Sequence, residues 1–420
     1  LRTAITTIFA LCGLISGQAQ SKDTLRIATY NLLNYGNNTT YCTADNNGIS
    51  AKDGYLKTVM QHLQPDVLVV NEVGCNTVYR TRILQNCLNI GTSKYKGATM
   101  FARSGQDICN MLFYNSDLLT LITETEIVQD GSNTMTRSAG LYQLTYNAPG
   151  LAQHADSSNF WVVATHLKAG NTSGDASTRG MEAEIIMKHL QNEPTGNFFV
   201  CGDFNVYRSS ETAWTAFTAP TASAYRLNDP INKVGSWTGN STYAAYHTQS
   251  TSTSSNGCRS GGGMDDRFDF VLASDALMNG TDKLKILPAT YKALGQDGNR
   301  FNQSIDNPTN NIISTSVANA LANMSDHLPV STDFEITYTQ TVVGNESYES
   351  KKLQLINPAT GLRFTGLTQP VQVHIYDLQG QLLLSTLAQP HSAVAKHLPA
   401  GMYLVETTGP SSNFYRWVKP

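Results

Sequence analysis

The chain has 420 residues, of which 40% are hydrophobic and 15% charged, and a formal net charge of −3. That length exceeds one ordinary small domain, and the composition is that of a soluble globular protein with ample material for a core. The small net charge excludes binding by bulk positive charge but not a polyanionic substrate, because a local cation cluster or a metal can hold phosphates.

The first segment reads as a leader rather than as fold. Arg2 supplies a positive start, Ala4 to Ser16 is mostly apolar, and Gly17-Gln-Ala-Gln20 offers a small-residue cleavage region before Ser21. The apolar run has the length of a signal-peptide core and is too short to span a bilayer. Residues 1–20 are therefore expected to be a signal peptide, and the mature protein to have no stable membrane insertion.

From Leu25 onward short apolar runs alternate with helical stretches and polar loops. Leu25 to Asn31 predicts a strand, Lys57 to Leu63 a helix stopped by Pro65, and Asp66 to Glu72 a buried, β-branched strand. Ile108–Tyr114, Leu141–Tyr146 and Trp161–His166 predict further strands. Arg179 to Gln191 carries Met181, Ile185, Met187 and Leu190 at roughly helical spacing. Asn197–Asp203 and Phe268–Ala273 complete the buried strands, and the Ser-, Thr- and Gly-rich stretch Thr248–Gly263 predicts a long loop. Strands interleaved with helices predict sheets covered by helices.

Near Thr341 the pattern changes. Residues 340–350 read as a linker. Residues 351–420 read as a small all-β unit, with alternation at Val371, Val373 and Ile375, a turn at Asp377–Gly380, and strands at Gln381–Ser385, Leu398–Val405 and Phe414–Val418.

Export makes the cysteines interpretable. Six follow Cys12, and no short Cys-x-x-Cys pair suggests zinc. Cys75 and Cys87 flank a helical stretch, whose rise separates them by about 18 Å, too far for a bridge. Cys42 is expected to pair with one of them, and Cys109 and Cys201, in apolar runs, to be buried thiols.

Several apolar runs end in groups useful for phosphate or metal chemistry. These are Asn31, Glu72, His166, the Gly202-Asp-Phe-Asn205 turn, Asp269 within Arg267-Phe-Asp-Phe, and the Asp326-His327 pair. Singly, each has an ordinary structural explanation, since Asn and Asp favour strand ends by bonding nearby backbone. Together, carboxylates offer hard oxygen ligands for Mg²⁺, and two histidines with further acids offer proton transfer and orientation.

The ordered set Tyr30-Asn-Leu-Leu, Asn71-Glu-Val, Thr165-His-Leu, Gly202-Asp-Phe-Asn, Arg267-Phe-Asp-Phe and Ser325-Asp-His-Leu-Pro-Val resembles the endonuclease/exonuclease/phosphatase superfamily, which includes deoxyribonuclease I-like enzymes. The resemblance implies an α/β fold for residues 21–339: a four-layered α/β sandwich, two packed mixed β-sheets flanked by helices. It implies Glu72 as the principal Mg²⁺ ligand, with Asn31 and Asp326 beside it, and Mn²⁺ or Ca²⁺ as alternative ions. It implies His327 as the group that activates or orients water and His166 as a phosphate contact. Asp203 would position the nucleophile or serve the leaving group, Asn205 would bind phosphate, and Asp269 would orient one of the two histidines. Arg137, in Thr136-Arg-Ser, is a further candidate for facing the phosphate.

The tail motifs Asn357-Pro-Ala-Thr, Val373-His-Ile-Tyr-Asp-Leu-Gln-Gly and Leu398-Pro-Ala-Gly-Met-Tyr-Leu-Val resemble the C-terminal sorting domain of type IX secretion cargo in Bacteroidetes, a small β-sandwich. The expected protein is thus a secreted or cell-surface, monomeric, metal-dependent nuclease acting on DNA or RNA, with the type IX machinery as its export partner. A sphingomyelinase-like or other phosphoesterase, or a surface binding protein with an inactive site, is the alternative. The polar loops Asn37–Asp53 and Thr248–Gly263 favour a soluble substrate over a lipid.

Overall fold

The computed structural model describes residues 18–147 and 158–341, and, toward the C-terminus, 354–356, 362–365, 370–389, 393–395, 397–408 and 413–419. The expected signal peptide lies outside the described residues up to Gly17, and the expected linker from Val342 onward. One compact unit spans Gln18–Thr341, and a second lies within Val342–Pro420.

The first unit opens with β1 (Gln18–Tyr35), α1 (Ile49–Leu63), β2 (Val67–Gly74), α2 (Thr77–Ile83), β3 (Tyr95–Gly97) and β4 (Ile108–Asn115). It continues with β5 (Leu119–Gln129), β6 (Thr134–Tyr146), β7 (Asn159–His166), α3 (Ser173–Leu190), β8 (Phe198–Asp203) and α4 (Thr212–Thr218). It ends with β9 (Leu227–Asn228), β10 (Asp269–Ser274), α5 (Asp275–Asn279), β11 (Leu284–Ala293), α6 (Thr315–Met324) and β12 (Val330–Thr341). Gln18–Gln20, in the expected cleavage region, continue β1 and pair with Thr339–Thr341 of β12.

The strands form two six-stranded mixed sheets, ordered β11-β12-β1-β2-β4-β3 and β5-β6-β7-β8-β10-β9. Each has one central parallel pair, β1 with β2 and β7 with β8, flanked by antiparallel neighbours. The inner faces share one core, to which the first sheet contributes Ile27, Val69, Leu112 and Phe334 and the second Phe160, Val162, Phe199 and Cys201. On the other side of the second sheet Trp161, Val163, Phe198 and Val200 pack with Ile186 and Leu190 of α3 and Trp214 and Phe217 of α4. Strands buried on both faces read as continuous apolar runs, which is why the sequence exposes them. Leu56 and Met60 of α1 and Leu321 and Met324 of α6 join the core from the first sheet. The architecture is a four-layered α/β sandwich.

Three elements extend beyond or escape their sequence pattern. α1 starts at Ile49, not Lys57, because its first turns bury the polar Lys52 and Asp53. α3 starts at Ser173, closed by a reciprocal cap between Thr172 and Asp175. β5 is a mostly exposed edge strand, so it shows no apolar run. Among the described residues no helix is long and apolar enough to cross a membrane.

The disulfides differ from expectation. Cys42 bridges Cys258, not Cys75 or Cys87, and Cys75 bridges Cys109. Cys87 and Cys201 are buried thiols. β2 and β4 are antiparallel neighbours, with Gly74 opposite Ile108, which places Cys75 beside Cys109. That neighbourhood is invisible along the chain.

The second unit contains β13 (Gln354–Ile356), β14 (Leu362–Thr365), β15 (Val371–Tyr376), β16 (Leu382–Ala388), β17 (Ala393–Val394), β18 (Gly401–Thr408) and β19 (Asn413–Lys419). They form a three-stranded sheet, β13-β14-β17, and a four-stranded sheet, β16-β15-β18-β19. Leu362 of one sheet shares a core with Val373, Ile375, Tyr403, Val405 and Trp417 of the other.

Candidate active site

Strand direction gathers the candidate residues at one edge. β1 and β2 run parallel with Asn31 opposite Asn71, so Asn31 and Glu72 emerge together. β7 and β8 run parallel with His166 opposite Asp203. β10 is antiparallel to β8 and begins with Asp269 opposite Asp203, while β12 is antiparallel to β1 and begins just after His327. The ends of the parallel strands and the starts of the antiparallel ones therefore coincide.

Gly202 permits this closeness. It adopts φ +146°, and a Cβ there would fall 1.8 Å from Thr165 O. Asn71 then ties the sheets together, donating to Thr165 O at 2.9 Å and accepting the Asp203 N–H at 3.1 Å.

Within the cluster, Glu72, His166 and Asp203 each offer a ligand atom, all within 4.8 Å of one another, and His166 Nε2 lies 4.0 Å from Glu72 Oε1. Asn31 Nδ2 donates to both Glu72 Oε1 and Asp203 Oδ2 at 3.0 Å. Its amide oxygen accepts the Leu33 N–H at 2.9 Å, so Asn31 presents its nitrogen, not its oxygen, to the carboxylates. Asp203 is the acid that joins Glu72 and His166 in one group. Asp326 is outside that group, and its Oδ2 accepts the Ser260 N–H at 2.9 Å.

His327 is held from the other side. Its Nδ1 lies 2.7 Å from Asp269 Oδ2, and its Nε2 lies 3.7 Å from Asp203 Oδ2. Asp269 thus orients His327, the choice that sequence left open between two histidines. His166 Nε2 lies 3.5 Å from Asp203 Oδ2, and its Nδ1 is buried without a hydrogen-bond partner. Asn205 Nδ2 and Arg137 Nη1 both donate to Leu167 O, at 3.2 Å each, which brings these two phosphate candidates beside His166.

Backbone strain concentrates here. Leu33, Asn34, Glu72 and Asn205 all have positive φ, between 44° and 57°. Such conformations cost roughly 1–3 kcal/mol each and persist where surroundings over-determine them. Irregular register in β1 after Asn31 and in β2 after Val70 accompanies them. The buried Lys52 holds the first turn, donating to Leu32 O, Leu33 O and Asn47 Oδ1 at 2.6–2.7 Å. Asn34 N–H, one residue on, donates to Glu72 Oε2 at 3.0 Å. Burial lowers Lys52 to about 7, against the pull of Asp326 and Glu72. Three oxygen acceptors are what its ammonium form requires.

From below, α3 fixes two site loops. Arg179 donates to Lys168 O and Gly170 O, past His166, and to Glu211, whose other oxygen accepts the Tyr207 N–H. Glu182 accepts the N–H groups of Thr136 and Lys168.

The charges are strongly coupled. Burial, with Asp269 and Glu72 nearby, raises Asp203 to about 7 despite His327 and the Asn31 bond. Burial and the Arg137 charge push His166 well below the ordinary imidazole range, leaving it neutral. Burial opposes a charged His327, but Asp269, Asp203 and Asp326 outweigh it and hold a proton there well above that range.

These residues fit a divalent cation. Glu72 and Asp203 share one amide donor, and their mutual repulsion helps keep a proton on Asp203. A cation would relieve both.

Sequence reasoning missed Asn34, Lys52, Arg179, Glu182 and Gln249. Gln249 lies in the polar loop and places its side-chain Nε2 2.8 Å from His327 Nε2. None of these stands in a motif, and each acts through contacts distant in the chain.

No protein-family model and no curated protein matches the chain. Among solved structures it is similar to the catalytic domain of human nocturnin with bound sulfate, at 18% identity and TM-score 0.48, covering 76% of this chain and 97% of that one. An endonuclease/exonuclease/phosphatase from Bacteroides vulgatus gives 17% identity and TM-score 0.47, with 75% and 99% covered. A mannosyl-6-phosphatase from Bacteroides thetaiotaomicron gives 15% and 0.45, with 74% and 99% covered.

Proposed function

We propose that the chain is a secreted, divalent-cation-dependent phosphodiesterase that hydrolyses nucleic-acid phosphodiester bonds. The observation that carries the reading is the carboxylate-backed imidazole of His327, whose outer nitrogen faces the Glu72, His166 and Asp203 cluster across 3.7 Å. A proton acceptor stands beside a site suited to a cation and an anionic ester.

A phosphodiester repels an incoming nucleophile because both are electron-rich. A cation such as Mg²⁺, held by Glu72 with Asp203 and His166 beside it, would neutralise a phosphoryl oxygen and the charge developing on the leaving oxygen. The chain supplies the remainder. Asp269 fixes the His327 ring through Nδ1, so that Nε2 faces the reacting water. With a cation bound beside Asp203, a free His327 Nε2 would accept the proton that the attacking water gives up. Asp203 lies within reach of the same water and orients it. Neutral His166, Asn205 and Arg137 direct hydrogen bonds and charge at the phosphoryl oxygens. No covalent enzyme intermediate is required.

The catalytic motifs suit any phosphoester, and the polar loops around residues 37–53 and 248–263 favour a soluble substrate such as nucleic acid over a lipid. The export part rests on the leader pattern and the tail motifs, with the C-terminal β unit as sorting domain and the type IX machinery as its partner. An assay panel of plasmid DNA, RNA, sphingomyelin and a phosphomonoester, with and without Mg²⁺, tests the activity. Acid-soluble nucleotides should appear with Mg²⁺ and not in EDTA. Turnover of only the lipid or the monoester would overturn the nuclease reading, and turnover of none would overturn the phosphoesterase.

A further inference from the structure

Gln249 belongs to none of the motifs, yet its amide covers the nitrogen on which the chemistry depends. His327 Nδ1 is taken by Asp269, and Gln249 Nε2 sits 2.8 Å from His327 Nε2, the nitrogen turned toward Asp203. Any proton gained or lost by this imidazole passes through the place where that amide lies.

The main chain of Gln249 is fixed. Its N–H donates to Asp266 O at 3.1 Å, and its carbonyl accepts the N–H groups of Asp265 and Asp266, both at 2.9 Å. The preceding Thr248 accepts the Leu328 N–H on its carbonyl at 2.7 Å and the Phe268 N–H on its hydroxyl at 3.1 Å. Gln249 forms isolated bridges with both Asp266 and His327. Its Cα is therefore held against the segments that carry Asp269 and His327, and only the side-chain torsions remain free. The side chain is half-buried, whereas His166, Asp203, Asp269 and His327 are buried.

A carboxamide suits a site where a proton and an anion are handled together. Its N–H donates to the lone pair of the neutral imidazole, turned over it presents its oxygen to the imidazolium N–H, and either way the N–H can be given to an anionic oxygen. We propose that Gln249 is a further catalytic residue: its amide stands in the place of the attacking water and passes to a non-bridging oxygen of the phosphoryl group when substrate enters. The inference rests on the phosphoesterase reading above and adds one donor to it. In the transition state that N–H faces the oxygen on which charge builds, a position where one donor is worth roughly 10²–10³ in rate.

The test uses the full chain with Mg²⁺ and whichever phosphoester it hydrolyses. Gln249→Ala should lower kcat on the order of 10²-fold with KM changed less than about threefold. Gln249→Glu, equal in size but lacking the donor, should lose at least as much, and Gln249→Asn should recover part. Melting temperatures should match the parent. Ala and Glu variants that keep kcat within about threefold, while His327→Ala and Glu72→Gln lose activity, would overturn the inference alone. Full activity in His327→Ala and Glu72→Gln would instead remove the phosphoesterase reading and the inference with it. A structure with Mg²⁺ and inorganic phosphate gives a readout free of turnover. Gln249 should be bonded to a phosphate oxygen, and phosphate in the cluster with Gln249 still on His327 would overturn the assignment.

Discussion

Asp269 Oδ2 lies 2.7 Å from His327 Nδ1, joining two residues 58 positions apart at the starts of strands in different sheets. Asp269 is fully buried, and its other oxygen has no hydrogen-bond partner, so its charge is directed at this imidazole. Asp269→Asn would retain the shape and lose the charge that favours Nδ1–H and the imidazolium. Activity should fall at least 10²-fold with a melting temperature close to the parent, and a normal rate at unchanged stability would show that the pair is structural.

Cation dependence follows from the Glu72 and Asp203 pair. EDTA should abolish activity, and Mg²⁺ or Mn²⁺ should restore it. Glu72→Gln should remove most activity and weaken cation binding measured by calorimetry. Full activity in excess chelator would exclude the mechanism.

Asp203 also sets a pH dependence. Its carboxyl titrates near 7 in the folded protein, against a usual 3.8. A proton therefore competes with the cation below pH 7, so affinity should rise with pH, by up to about tenfold per unit, and level off above. In the cation-free protein the folded state holds this proton across pH 4 to 7 while the unfolded chain has released it. Stability should fall through that window as pH rises, and Asp203→Asn should abolish this component in denaturant melts.

The Cys42–Cys258 bridge spans a separation of 216 residues, far more than the 34 of Cys75–Cys109. It ties the loop containing Asn47, which bonds Lys52, to the loop containing Gln249 and Ser260. Replacing both cysteines by serine should cost up to about 5 kcal/mol of unfolding free energy by chain entropy. It should also lower activity several-fold while the protein remains folded. Unchanged activity would show that the two loops hold their positions unaided.

Arg179 and Glu211 form a buried ion pair beneath the loops that follow His166 and Asn205. Arg179→Met leaves Glu211 unpaired and should cost about 3–5 kcal/mol in chemical denaturation. A joint Arg179→Met and Glu211→Met variant should regain part of that loss.

No candidate site residue lies in the C-terminal unit, so a chain ending at Thr341 should be about as active as one with the tail. In the native host the same truncation should leave the enzyme in the periplasm, as cell fractionation would reveal. Normal appearance outside the cell would remove the sorting assignment. An inactive truncation would show that the tail takes part in the site.

What was legible in the chain was local. Phe198 to Asp203 and Asp66 to Glu72 announce buried strands because both their faces are covered. Gly202-Asp-Phe-Asn and Ser325-Asp-His-Leu-Pro place acid, amide and imidazole within a few residues, where backbone geometry alone keeps them near. Such runs alternating with helices predict sheets covered by helices, and the four layers were expected from the motifs' resemblance. The edge strand β5 and the polar start of α1 were not legible, since an exposed face or a buried lysine erases the apolar period.

Tertiary structure alone decided which groups meet. That Asp203 joins Glu72 and His166, that Asp269 serves His327 rather than His166, and that Cys42 finds Cys258 depend on strand order and direction. Gln249 reaches His327 only because Thr248 and Leu328 are pinned side by side. The entropy of closing a loop grows slowly with its length, so a contact across 58 or 216 residues is not greatly less accessible than a short one and leaves no periodic trace in the chain.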